Sequence, residues 1–204
     1  MAGASLFHSG FSVQRRFALR RMEKLKPTSN VKQAWVLGLL VVIVSGLFGL
    51  IVLPRIGREK SAMEGLTAPD FALEVIHGGD PGNRIRLSDQ IGKPVVMDFW
   101  ASWCKPCREQ APIIDAFAKA HPDDVVTMGI NTDDRREDAI AYAKSAGLSY
   151  PAVFDEGSKV ASTYGVRALP TLVVIDTKGR IFKMHTRVTE REELEKMVAD
   201  AKSR

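Results

Sequence analysis

The longest hydrophobic run, AWVLGLLVVIVSGLFGLIVL over residues 34–53, carries no charge in 20 residues. A helix rises about 1.5 Å per residue, so such a run matches a hydrocarbon core of roughly 30 Å. A cleaved signal peptide would have a shorter apolar region, about 7–15 residues, ending at a small-x-small site. Here the run is longer, and PRIGREK follows it. The pattern predicts a retained transmembrane helix over 34–53. A basic tail (1–33) precedes it, and a linker (54–64) leads to a domain over 65–204.

Within that domain the pattern alternates between strand and helix. PVVMDFWA (94–101) is a continuous apolar run rich in β-branched and aromatic residues, as in a strand buried on both faces. Helical periodicity follows from about Lys105 to Ala120. VVTMGI (125–130) is the next strand, and REDAIAYAKSAG (136–147) a helix ending at Gly147. TLVVID (171–176) and RIFKMHT (180–186) form a hairpin around TKG. TEREELEKMVADAK (189–202) closes the chain as a helix, with Thr189 as N-cap and Glu192 completing a capping box. NRIRLSD (83–89) adds a short strand after the turn GGDPGN (78–83). The expected architecture is α/β, three layers with a central mixed sheet.

Net charge is +5, with 45% hydrophobic and 26% charged residues, a globular composition. The basicity is uneven. Residues 1–33 hold seven Lys/Arg against Glu23, a balance of +6, whereas from Gly65 onward 19 bases face 21 acids, a balance of −2. A basic tail beside an apolar run argues against nucleic acid as a partner. It points instead to a cytoplasmic N-terminus, since only Arg55, Arg58 and Lys60 lie close after the run. The domain would then be extracytoplasmic and tethered to the membrane, in a compartment where disulfides persist.

The chain has two cysteines, Cys104 and Cys107, in FWASWCKPCREQAP. A disulfide closing so short a loop constrains the unfolded chain little, which disfavours a structural staple. Half a zinc site would need further ligands, and His77, His121 and His185 are scattered singly. A copper-carrying thiol pair would want soft ligands nearby, and Met97 and Met63 form no cluster. Thiol exchange fits better. Cys104 falls where strand gives way to helix, and unpaired N–H groups at a helix N-terminus stabilise a thiolate. Lys105 adds a cation, and Pro106 fits the first turn, where its missing N–H costs nothing. Cys107 lies one turn further in and should be more buried. In this reading Cys104 attacks a substrate disulfide and Cys107 resolves the mixed disulfide.

FWASWCKPCREQAP resembles the active site of the thioredoxin superfamily, in the form W-C-x-x-C with a proline, Pro112, five residues beyond. APDFAL, LSDQIGKPVVMDFWASWCKPC, YPAVFDEGSKVASTYGVRALPTLVVID and KGRI, in this order, resemble the membrane-anchored thioredoxin-like proteins of bacteria of the TlpA/ResA/CcmG type. The resemblance covers about residues 65–190. It implies a redox-active Cys104–Cys107 pair needing no separate cofactor or metal. It also implies a cis Leu169–Pro170 bond facing the disulfide and presenting backbone to substrate, and Trp103 beside the site, with Trp100 in the core. Asp98 matches the buried aspartate that accepts the proton of the second cysteine. One position departs: Gln110 stands where these proteins usually carry glutamate, and Gln110 cannot ionise. Glu109, one step back, reads as a surface charge.

The resemblance implies a thiol–disulfide oxidoreductase that reduces disulfides of extracytoplasmic proteins. Apocytochrome c and copper-protein assembly factors are plausible substrates, with a membrane electron-transfer partner as donor. A dithiol oxidase or isomerase of the same fold, or a copper chaperone using the same thiols, are the alternatives.

Overall fold

The computed structural model describes residues 30–52, 61–80 and 82–204. Most of the expected basic tail, most of the linker and Pro81 of the expected turn lie outside the described residues. The chain falls into two compact units, Met1–Glu59 and Lys60–Arg204.

In the first unit, helix α1 spans Asn30–Val52. Its side chains are described over 34–48, and all of them are exposed. Among the described residues no helix is long and apolar enough to cross a membrane. The expected span 34–53 is not supported on that stretch, because the side chains at 49–53 lie outside it.

The second unit is an α/β layer structure. Its strands are β1 (Ala72–His77), β2 (Arg84–Arg86), β3 (Val95–Trp100), β4 (Val126–Asn131), β5 (Ala152–Phe154), β6 (Thr171–Ile175) and β7 (Ile181–His185). Its helices are α2 (Lys105–Ala120), α3 (Arg136–Ala146), α4 (Lys159–Thr163) and α5 (Arg191–Lys202). Among the described residues the strands make one sheet in the order β2-β1-β5-β4-β3-β6-β7. β3 pairs in parallel with β4, and β4 with β5; the remaining pairs are antiparallel. The sheet is therefore mixed, as expected. Parallel neighbours need a crossover, and α2 and α3 supply the two.

All six residues of β3 are buried. Side chains alternate across a strand. Val95, Met97 and Phe99 enter one core with Phe71, Leu87 and Tyr164. Val96 and Trp100 enter the other, with both cysteines and apolar side chains of α2, α3 and α5. Asp98 lies between Val96 and Trp100 in the strand, so it points into this second core. α2 is amphipathic for the same core: its buried positions are Cys107, Gln110, Ala111, Ile114 and Phe117, one helical stripe. Trp100 crosses closely over β4. A Cβ added to Gly129 would lie 2.7 Å from Trp100 Nε1, so only glycine fits there.

One detail corrects the sequence reading. The N-cap of α5 is Glu190, without a side-chain capping bond, so Thr189 and Glu192 form no capping box. Thr189 is buried one residue earlier, its N–H given to Gln110 Oε1 and its hydroxyl to the Arg187 carbonyl. Ahead of Gly65, Glu64 accepts from Lys183 Nζ and Met184 N, and Gly65 N donates to the Ile181 carbonyl.

Candidate active site

The site forms where β3 ends and α2 begins. Cys104 is the N-cap of α2, in extended conformation, and Pro106 stands in the first turn. The Cys104 sulfur accepts from Cys107 N at 3.2 Å, so it takes one of the donors that a helix start leaves unpaired. Cys104 and Cys107 are joined as a disulfide, Cα to Cα 5.3 Å. In this state both are buried, at 3% and 1% exposure, so the expected difference in burial is slight. Closure of the S–S bond draws the two sulfurs to one place. Lys105 and Pro106 are exposed beside them.

The segment entering Cys104 is held from several sides. Asp134, in the loop after β4, accepts from the backbone N–H and the hydroxyl of Ser102 and from Asn131 Nδ2. Arg108, one turn into α2, donates to the Ser102 carbonyl through Nη2 at 2.7 Å. Its guanidinium also lies over the Tyr142 ring, which packs at a tilt against Trp100. Trp103 is 59% exposed, and its indole N–H donates to the Asp133 carbonyl at 2.8 Å. Sequence reasoning missed Asp134, whose role depends on how the loop after β4 folds back, and Arg108, whose role depends on how α2 packs beside Tyr142 of α3.

The Leu169–Pro170 bond is cis. The register pairs Phe99 with Thr171, so Pro170 stands next to the end of β3 where the cysteine segment departs. Pro170 itself is buried, and the half-buried Leu169 packs against both cores.

Asp98 is 1% exposed. Burial pushes its carboxyl up to about 7, against the opposing pull of a hydrogen bond from Gln110. Gln110 Nε2 donates to Asp98 Oδ1 at 2.6 Å, and Gln110 is itself fully buried. The sequence placed Gln110 beside Cys107 but not its contact with Asp98. A polar residue inside the apolar stripe of α2 was the available signal. Glu109 is exposed, as a surface charge would be. The histidines serve separate places: His77 bonds to the Leu148 carbonyl, His121 to Glu195, and His185 lies by Glu193. Among the described residues no group of three or more His, Cys, Asp or Glu side chains could hold a metal ion.

A two-residue cysteine loop on a helix N-terminus, with a cis proline next to the end of the preceding strand and a buried carboxyl facing the cysteines' core, on a mixed sheet, defines a thiol–disulfide oxidoreductase of thioredoxin-like fold. The chain belongs to the Redoxin family, whose model matches residues 63–202. It is similar to the thiol:disulfide interchange protein DsbE of Xylella fastidiosa (strain Temecula1), 36% identical over 145 residues, 71% of this chain and 72% of that protein. The thiol-disulfide oxidoreductase ResA of Bacillus subtilis is 31% identical over 150 residues, 73% of this chain and 82% of its own length. Among solved structures, the exposed lipoprotein thioredoxin Etrx1 of Streptococcus pneumoniae is 31% identical with a TM-score of 0.59, covering 65% of this chain and 99% of that one.

Proposed function

We propose that this protein is a membrane-tethered reductase of disulfides in extracytoplasmic proteins. The observation that carries the reading is the placement of the Cys104–Cys107 pair at the start of α2, with Asp98 buried on the same face of the sheet. In the reduced enzyme Cys104 is the thiolate, favoured by the helix N-terminus and by Lys105. It attacks one sulfur of a substrate disulfide. The substrate S–S bond breaks, its other sulfur leaves as a thiolate, and a mixed disulfide with Cys104 forms. Cys107 then gives its proton to the Asp98 carboxylate, and its sulfur attacks Cys104. The Cys104–Cys107 disulfide closes and the second substrate sulfur leaves. Two electrons pass from the enzyme dithiol to the substrate disulfide, and an external dithiol donor must return them. Trp103, Leu169 and Pro170 are the surface on which substrate backbone is received, and Lys105 and Pro106 tune the pair.

Tethering is supported by the uncharged run 34–53 and by the cation bias of residues 1–33. In this reading 1–33 is a cytoplasmic tail, 54–64 a linker and 65–204 the periplasmic domain. The electron donor is then a membrane partner, and apocytochrome c or a copper-protein assembly factor is a fitting substrate class. The relatives are named for disulfide interchange and thiol–disulfide oxidoreduction, which fits protein disulfides as substrates. The same thiolate stabilisation at Cys104 also favours a dithiol oxidase, and the direction of electron flow separates the two.

The test is a trap. Cys107→Ser keeps the attacking thiol and removes the resolving one, so mixed disulfides through Cys104 should accumulate in cells. Their absence, with the variant present and folded, would contradict the exchange mechanism. Release of the full chain from membranes by alkaline carbonate would contradict the tether.

A further inference from the structure

Gln110 connects three elements. It lies on the buried face of α2, its Nε2 reaches Asp98 Oδ1 on β3 at 2.6 Å, and its Oε1 accepts from Thr189 N at 3.0 Å, ahead of α5. The chemistry of the partners fixes which way the amide points. A backbone N–H can only donate, so the Gln110 oxygen must face Thr189. The NH2 group therefore faces Asp98. A hydrogen bond donated to a carboxylate favours its ionised form, whereas burial favours the neutral one.

We propose that Gln110 is a positioning residue for disulfide exchange: anchored by Thr189, it orients the Asp98 carboxyl and keeps it the site's proton carrier by supplying a neutral donor instead of a second acid. The proposal rests on the reading of Asp98 as proton acceptor for Cys107, and deepens it. The other groups around Asp98 fit a one-carboxyl site. α2 contributes Cys104, Cys107 and, over the Tyr142 ring, the exposed Arg108. α3 contributes Tyr142, and the segment before β5 contributes Tyr150; burial holds both phenols in the protonated form. Opposite Asp98 on the neighbouring strands stand Gly129 and Leu172, and α5 presents Leu194, none of them ionisable.

Gln110→Glu would change this chemistry. One carboxylate oxygen would still accept from Thr189 N, but the other would meet Asp98 oxygen to oxygen. Two carboxylates at that separation must share a proton, and they titrate as a coupled pair. Gln110→Met keeps the volume and removes the donor.

The test uses full-length protein with carbon-13 in the aspartate carboxyls. The Asp98 signal is assigned by its loss in Asp98→Asn. Its pH titration is compared in wild type, Gln110→Met and Gln110→Glu, together with the pH profile for resolution of a Cys104 mixed disulfide. Loss of a hydrogen bond to a charged group should raise the Asp98 midpoint in Gln110→Met by about one pH unit, with the resolution profile following. Gln110→Glu should titrate in two coupled steps. An unmoved midpoint in folded Gln110→Met would overturn the role of Gln110. If Gln110→Met does not fold, a single, unshifted step in Gln110→Glu would do the same. Resolution at the wild-type rate in Asp98→Asn would instead overturn the proton-acceptor reading, whatever the Gln110 variants do.

Discussion

Asp134 takes both donors of Ser102, the backbone N–H and the hydroxyl, the latter at 2.9 Å, two residues ahead of Cys104. The same carboxylate accepts from Asn131 Nδ2 and from Arg135 N. One side chain therefore fixes the path of the chain into Cys104 from the far side of β4. Asp134→Ala strands Ser102 N–H and leaves Asn131 Nδ2 only its long bond to the Trp100 carbonyl, and an unsatisfied donor costs about 1–3 kcal/mol. The expected loss is about 2 kcal/mol in urea unfolding of the oxidised protein. Attack by Cys104 on a small disulfide should slow alongside, since its lead-in segment is released.

Asp98 links the site to stability. Its folded carboxyl titrates near 7, whereas an unfolded aspartate titrates near 3.9. Between those values the folded protein holds a proton that the unfolded chain has released, so stability falls as pH rises. The contribution is fully present below about pH 4, where both states are protonated, and its loss is complete above about 7. Asp98→Asn keeps an acceptor for Gln110 and removes the titration. Its gain over wild type in urea unfolding should grow from pH 4 to 7, by an amount on the order of a few kcal/mol, and stay level above. Resolution of mixed disulfides by the same variant should be slower near neutral pH.

Trp103 separates substrate contact from folding. Its side chain is mostly exposed and holds one hydrogen bond, to the Asp133 carbonyl. Trp103→Ala should cost about 1 kcal/mol or less in unfolding. A surface aromatic beside the disulfide contributes contact area to a protein partner, so kcat/KM for a protein disulfide should fall by about tenfold, the equivalent of one well-packed aromatic contact. A small aromatic disulfide reagent should be turned over nearly as before.

Gly129 tests the packing beneath Trp100. A methyl group there must displace the indole, whose Nε1 would lie 2.7 Å away, with Tyr150 Cε2 at 3.2 Å. Overpacking of this kind costs about 1–3 kcal/mol. Gly129→Ala should lower the thermal midpoint, with the Trp100 fluorescence signal changing in the folded state.

The elements that the sequence revealed are those whose periodicity runs long enough to be read. β3 is a continuous apolar run because it is central in the sheet, with cores on both faces. α2 runs over Lys105–Ala120, the stretch its pattern marks, and Gly147 ends α3 in the left-handed conformation expected of a helix stop. β5 has three residues and α4 five, too few to show a period, and both went unread. β1 also went unread: its residues are mostly half-buried, so its apolar pattern is weak. Within the site, Cys104, Cys107, Asp98 and Pro170 were legible from local motif. Asp134, the stacking of Arg108 over Tyr142 and the bridge from Gln110 to Thr189 were not, since each joins segments far apart in the chain. The capping box at Thr189 failed for the same reason: a tertiary partner, Gln110, claims the N–H of that residue.

The proposed reductase requires the Cys104–Cys107 pair to give electrons to substrate disulfides. Its most direct test is the reduction potential of that pair, measured by equilibrating the full-length protein with a thiol redox buffer. For a reductase the expected value lies near that of thioredoxin, about −270 mV. A value toward about −120 mV, that of a strong dithiol oxidant, would contradict it and make the protein a donor of disulfides.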